Sequence, residues 1–372
     1  MIKLFKKDEL TKKERILRTL RRQEVDRVAI HEQISFNPGV ISMYTGKNID
    51  CFNYTLEDVG KVISMTLDCC FPCYAPCGTA RWEDGYGFVF QNDNWTIWRV
   101  SRPFTDEHGA KDWLFKHIKN IERQVKEFDA NTYRKSHLEH MRYLDSLVDG
   151  TVIMDITSTG FCDVFDRMGL EIFSFFQLEY PDILSEYMEV STELAVMKAN
   201  TSVHIEFTPV VLIAEDFATK QGPIFSVEFL NKYHFPYVKR LAKTLHDSGV
   251  YVIYHSDGNY KKSIPNLIEC GVDGFYCLEP NCGMDIVELK NTYPEMVWAG
   301  GVDGVDLLER GTPEQVREEV RRHIIETDAL RTGGMMIASS SEINPTVKPK
   351  NFKAMIEAAD IYRNINYKHR KI

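Results

Sequence analysis

Val250-Tyr-Val-Ile-Tyr254, Gly274-Phe-Tyr-Cys-Leu278 and Met296-Val-Trp-Ala299 are apolar runs of strand length, each separated from the next by a segment of helix length. The alternation continues outward through Thr151-Val-Ile-Met-Asp155, Val210-Val-Leu-Ile-Ala214 and Met335-Met-Ile-Ala338. Such runs lack the in–out alternation of a half-solvated strand, so they predict strands buried on both faces, as in a parallel sheet covered by helices. The intervening helices have readable ends. Thr312-Pro313-Glu314-Gln315 is a capping box with proline at the first helical position, and Gly249, Gly271 and Gly333 stand where a helix must stop before the next strand. With Arg27-Val-Ala-Ile-His-Glu32 as a seventh strand in an undivided chain, a closed (β/α)8 TIM barrel is favoured over an open sheet. The eighth strand is expected between Asn53 and Asn131 or near Val203 to Phe207. A capping box at Thr11-Lys-Lys-Glu14, followed by Ile16, Leu17 and Leu20, predicts an N-terminal helical extension. The aromatic-rich stretch from Cys51 to Pro103 reads as an irregular insertion over the barrel mouth, with Trp95 and Trp98 walling a pocket, meeting a partner or packing the insertion down. Between Ile172 and Met197, Phe175, Leu178, Leu184, Tyr187, Met188 and Leu194 recur at helical spacing and read as a core face. The whole chain, 1–372, is expected to be one domain.

The 372 residues carry 45 basic and 54 acidic side chains, a net charge of −9, with 44% hydrophobic residues. That is enough apolar material for a large core. No apolar run reaches the roughly 18 residues of a membrane span, and an acidic chain without a basic tract argues against nucleic acid. Nine cysteines without an export signal predict reduced thiols and a cytoplasmic protein. Cys69, Cys70, Cys73 and Cys77 have ligand-like spacing, with buried thiols as the simpler expectation.

In a barrel the chemistry sits at the carboxyl ends of the strands. Those ends carry His31 and Glu32, Asp155 and Ser158, Glu215 and Asp216, His255 and Asp257, Glu279 and Asn281, Asp303, and Ser339 to Glu342. Each alone is equally well explained as a helix cap or an ion-pair partner; so many convergent carboxylates are not. His255-Ser-Asp257-Gly-Asn259 is the strongest local feature, because His and Asp two apart just past a strand can reach one divalent ion or one reacting oxygen. Gly258 lets the chain turn behind them. Glu279 is the nearest third ligand by topology, with Glu215 and Asp216 as alternatives. No phosphate loop, nucleophile elbow or His-Glu-x-x-His is present.

Glu14-Arg-Ile-Leu with Asp26-Arg27-Val, Glu215-Asp-Phe-Ala-Thr-Lys-Gln-Gly-Pro223, His255-Ser-Asp-Gly-Asn259, and Gly300-Gly-Val-Asp303 with Gly311-Thr-Pro-Glu314 together resemble the uroporphyrinogen decarboxylase superfamily, which includes cobalamin-dependent methyltransferases. The resemblance runs over about residues 10 to 365 and implies a single (β/α)8 barrel. True decarboxylases are expected to hold their substrate with arginines after the first strand; here that stretch is Glu32-Gln-Ile-Ser-Phe-Asn37, and an acidic pocket repels a polycarboxylate. The thiol-methylating branch is similar in using zinc on a His-x-Cys pair and a distant Cys, but Asp257 and Ser339-Ser-Ser341 occupy the thiolate positions. Oxygen ligands suit an oxygen-centred substrate better than a thiol. The resemblance therefore implies the branch that takes a methyl group from a methoxylated, aromatic substrate (O-demethylation) and passes it to a corrinoid (cobalamin) carried by a partner protein. On that reading, zinc sits on His255, Asp257 and Glu279, while Glu215 and Asp216 orient the small-molecule methyl donor. A homodimer is one option for the assembly. The alternative is a metal-free decarboxylase or lyase of a small acid or tetrapyrrole-related substrate, with His255 and Asp257 as the acid/base pair.

Overall fold

The computed structural model describes residues 5, 7–50, 53–74, 79–93 and 95–363. Eight parallel strands form the barrel: β1 (Ala29–Glu32), β2 (Cys69–Cys70), β3 (Val152–Ile153 and Asp155–Thr157), β4 (Val210–Ala214), β5 (Tyr251–His255), β6 (Gly274–Tyr276), β7 (Val297–Val302) and β8 (Met335–Ser339). Each pairs with the next and β8 pairs with β1. The ring closes through β3. Its first half pairs with β2 and its second with β4, and Met154 between them donates its N–H to the Cys70 carbonyl at 2.8 Å.

The side chains Ala29, Cys69, Val152, Met154, Leu212, Ile253, Ala299 and Met336 pack in the buried barrel interior, and the opposite faces of the strands join the larger core under the helices. The helix Lys12–Leu20 is the expected N-terminal extension. Its capping box is formed, and Ile16 and Leu20 are buried with the barrel-interior cluster. Among the described residues no helix is long and apolar enough to cross a membrane.

The eighth strand is Cys69–Cys70, inside the first of the two expected windows; Val203 to Phe207 forms no strand. The stretch from 51 to 103 is consequently not one irregular insertion. Its first part is an ordinary barrel unit, with the helix Leu56–Thr66 opened by a capping box of Thr55 and Asp58, and burying Val59, Val62 and Ile63. Among the described residues of that stretch, the antiparallel meander Ala80–Glu83, Val89–Asp93 and Thr96–Ser101 is what is added to the barrel plan. Trp98 lies on its last strand, 57% exposed, and Trp95 packs against Phe36.

The core face expected between Ile172 and Met197 is also only partly one. Phe173, Phe176, Leu184, Tyr187, Met188 and Leu194 are buried, whereas Phe175 and Leu178 are 56% and 76% exposed. They stand three residues apart on the helix Leu170–Glu179, on the side away from Phe173 and Phe176.

Cys69, Cys70 and Cys73 are buried free thiols, and burial pushes Cys73 up to about 11. Neutral thiols on and beside a barrel strand fit a packing role. Cys77 lies outside the described residues.

Candidate functional site

β5 ends at His255, and the chain then turns through Ser256, Asp257 and Gly258. Gly258 sits at φ +78°, and a Cβ there would lie 2.8 Å from the carbonyl oxygens of Ala218 and Thr219. Those residues open a short hairpin, Ala218–Thr219 with Gly222–Pro223, in the β4 loop. The close backbone approach brings Asp216, at the start of that loop, against the β5 end. Asp216 accepts the Asp257 N–H at 2.8 Å, and its Oδ1 lies 3.3 Å from His255 Nε2, which is 3.9 Å from Asp257 Oδ1. One ligand atom from each of Asp216, His255 and Asp257 falls within 4.8 Å of the others.

The electrostatics follow from this crowding. Burial opposes the His255 charge, but the hydrogen bond to Asp216 and the charges of Asp216 and Asp257 outweigh it and raise the imidazole above its ordinary value. Burial likewise opposes the Asp216 charge, yet His255 and the Asp257 N–H hold that carboxyl below the usual range. Burial pushes Asp257 up to about 6 despite the attraction of His255. Two carboxylates and one imidazole, partly withdrawn from water and carrying excess negative charge, suit a divalent cation of borderline hardness such as zinc.

A pocket of about 180 Å³ opens beside this group, lined among others by Gln33, Phe71, Ile156, Tyr276, Ser341 and Glu342 together with His255 and Asp257. Ser341, in the run where a distant thiolate ligand stands in the thiol-methylating branch, thus faces the same space.

Other strand-end residues are engaged elsewhere. Glu215 is fully buried. It accepts hydrogen bonds from Ser158 Oγ at 3.0 Å, from Thr159 N and Oγ1 at 2.6 Å each, and from Cys162 N at 2.8 Å, pinning the turn into the helix Phe161–Met168. Glu279 accepts from Gly258 N at 2.6 Å and from the Cys282 thiol at 3.4 Å, so it supports the β5 turn from behind. Glu32 clamps the ends of β1 and β8 by accepting from Ser339 N and from Ser339 Oγ. Asp155 faces outward to His137 at 3.0 Å, and Asp303 caps the following helical turn while holding Asn281. His31 is buried between Phe71 and Tyr276, and burial lowers it to about 4.

The structure thus brings together His255, Asp257 and Asp216, and places Glu215 and Glu279 around them as supports. Phe71 and Tyr276 line the pocket without any catalytic residue type or motif to mark them in the sequence. Tyr276 was legible from strand alternation in β6, whereas Phe71 required knowing that Cys69–Cys70 is a strand.

A closed parallel barrel with its polar pocket at the strand carboxyl ends places the chain among the (β/α)8 proteins. The model of the uroporphyrinogen decarboxylase (URO-D) family matches residues 167–362, more than half of the chain, and the chain belongs to that family. Over 136 residues it is 25% identical to the methylcobamide:CoM methyltransferase MtbA of Methanosarcina acetivorans, and 26% identical to MtbA of Methanosarcina mazei. Those matches cover 37% of this chain and only 38% of the length of each of these curated relatives. The fold is shared over nearly full length with the solved structure of a methyltransferase from Methanosarcina mazei: TM-score 0.65, 17% identity, 95% of this chain and 99% of that one.

Proposed function

We propose that the protein is a methyltransferase that moves a methyl group from a methoxylated aromatic compound to a reduced corrinoid carried by a partner protein. The observation that carries the reading is the Asp216–His255–Asp257 group at the mouth of a URO-D family barrel, beside a pocket of about 180 Å³. A cavity of about 150 Å³ holds one benzene ring, so the pocket suits a single aromatic ring. Phe71, Ile156 and Tyr276 supply its apolar wall. The relatives named above are methylcobamide:CoM methyltransferases; here the two oxygen donors favour an oxygen-centred methyl donor over a thiol.

An ether is inert because its alkoxide or phenolate leaves poorly, so the protein must act at that oxygen. Asp216, His255 and Asp257 would hold a zinc ion, which supplies Lewis acidity at the departing oxygen. Asp216 and Glu279 orient the β5 turn, Phe71 and Tyr276 hold the ring, and the closed barrel wall excludes water from the side facing the interior. The methyl carbon–oxygen bond breaks with its electron pair going to oxygen, and Co(I) of the partner's corrinoid supplies the pair for the new bond. A second reading rests on the 3.3 Å contact of His255 with Asp216. A raised imidazole held by a carboxylate is itself a proton donor, as a lyase or decarboxylase of a small acid requires.

The test incubates the protein, with and without added zinc, with a reduced corrinoid protein and a panel of methoxylated aromatics. Loss of the Co(I) absorption only when a methyl donor is present is the expected result. No turnover with any methyl donor, with zinc bound, overturns the reading. Turnover of a small acid without corrinoid, unchanged by chelator, favours the second.

A further inference from the structure

A second and larger space lies outside the barrel wall. The outer face of β3 and the helices Glu107–Lys126, Ala130–Val148 and Pro181–Ser202 enclose a cleft of about 660 Å³. Small-molecule pockets commonly span about 300–1,000 Å³. The cleft adjoins the mouth pocket at Ile156, which lines both.

Its two acids already have partners: Asp155 lies 3.0 Å from His137 Nε2, and Asp163 is ion-paired with Arg167 at 2.8 Å. Lys198, half-buried on the cleft wall, makes no ion pair or hydrogen bond with another described residue. The buried Nδ1 atoms of His117 and His137 also lack a partner among the described residues. The cleft wall thus presents one ammonium, Lys198, that no described carboxylate engages. The rings are arranged in near-parallel pairs, His117 with Tyr187 at 5.9 Å and 30°, and Tyr133 with His137 at 6.2 Å and 20°.

We propose that this cleft is a second small-molecule site, and that it takes a planar organic anion of the aromatic carboxylate class, the carboxylate meeting Lys198 and the ring lying among the imidazole and phenol rings. The site is separate from the Asp216–His255–Asp257 group. Its occupancy does not depend on methyl transfer being the activity.

The test titrates the full-length protein with benzoate, using benzamide and benzylammonium as neutral and cationic controls, by calorimetry and by ligand-observed NMR. Wild type binds benzoate saturably and in preference to both controls. Lys198→Met weakens benzoate about tenfold, the loss of one charge-assisted contact. Ala195→Trp, which fills the cleft, abolishes binding while circular dichroism remains native. His255→Ala leaves it unchanged. No saturable binding of benzoate to the wild type overturns the proposal, as does equal binding of benzamide. Binding lost in His255→Ala but retained in Lys198→Met places the anion in the mouth pocket and equally overturns it. Should Ala195→Trp fail to fold, Lys198→Met decides alone, because a half-buried lysine without a partner can be replaced with little effect on the core.

Discussion

Asp216, His255 and Asp257 contribute different things to one small space. His255 ends a strand and is held in place by the barrel; Asp257 follows it two residues later, and Asp216 arrives from the neighbouring loop. Glu279 is hydrogen-bonded to the backbone N–H of Gly258, so its carboxylate steadies the turn that carries Asp257. Ligand and support are separable by substitution. Asp216→Asn keeps the shape but removes a charge, and protein reconstituted with zinc and then dialysed should retain only a trace of the metal, with turnover lost in step. Glu279→Gln should keep the metal site but loosen it, weakening zinc about 10–100-fold, as is typical for a residue that positions a ligand. Elemental analysis after dialysis checks both. Full zinc retention by Asp216→Asn would remove Asp216 from the ligand set, and trace retention by Glu279→Gln would restore Glu279 to it.

The β5 turn shows why only part of the site was legible before the fold was known. The spacing of His255 and Asp257 on one loop is a local property, so it could be read directly. The choice of Asp216 over Glu279 depends on the hairpin Ala218–Thr219 with Gly222–Pro223 pressing on Gly258, a contact between two loops that neither sequence announces. Six long apolar runs and the β1 segment were readable because each is buried on both faces. β2 has only two residues, Cys69 and Cys70, whose strand identity comes from their neighbours β1 and β3 and not from any pattern of their own. The helix before it, Leu56–Thr66, is hidden for the same reason, because without β2 no readable strand follows it to mark a barrel unit. The importance of the turn itself can be measured. Gly258→Ala adds a Cβ 2.8 Å from two carbonyl oxygens at φ +78°, so it should cost about 1–3 kcal/mol. It should also displace Asp257 from Asp216. Thermal denaturation and zinc titration would show both effects together. A variant with wild-type stability and zinc affinity would mean that the hairpin does not constrain the turn.

At the scale of the molecule, charges at opposite ends of the barrel set its response to pH. Near the start of β1, Arg15 and Arg27, both buried, converge on the buried Asp68 at 2.7 and 2.6 Å, and Arg15 also holds Asp26 at 2.8 Å. Breaking such a network leaves an unpaired buried charge, so Asp68→Asn should cost about 3–5 kcal/mol, measured as a shift of the denaturant midpoint. Burial opposes the Asp26 charge, but Arg15 and the Leu10 and Glu9 N–H groups lower its carboxyl to about 2, from 3.8. Its contribution is present above pH 3.8 and disappears as pH falls through 2. Glu32, at the other end of β1, runs the opposite way: burial raises it to about 8, from 4.5, against the donors of Ser339. The folded state then binds a proton that the unfolded state has released, so stability falls as pH rises from 4.5 to about 8. The contributions of these two groups are both fully present only between pH 3.8 and pH 4.5. Glu32→Gln keeps the shape of the clamp between β1 and β8 without the titration. Its melting temperature should change less than that of the wild type between pH 5 and pH 8, by a difference on the order of a few kcal/mol in stability. Thermal melts across that range decide it: parallel profiles for variant and wild type would mean that Glu32 is already ionised inside the barrel, its charge held by the Ser339 N–H and hydroxyl.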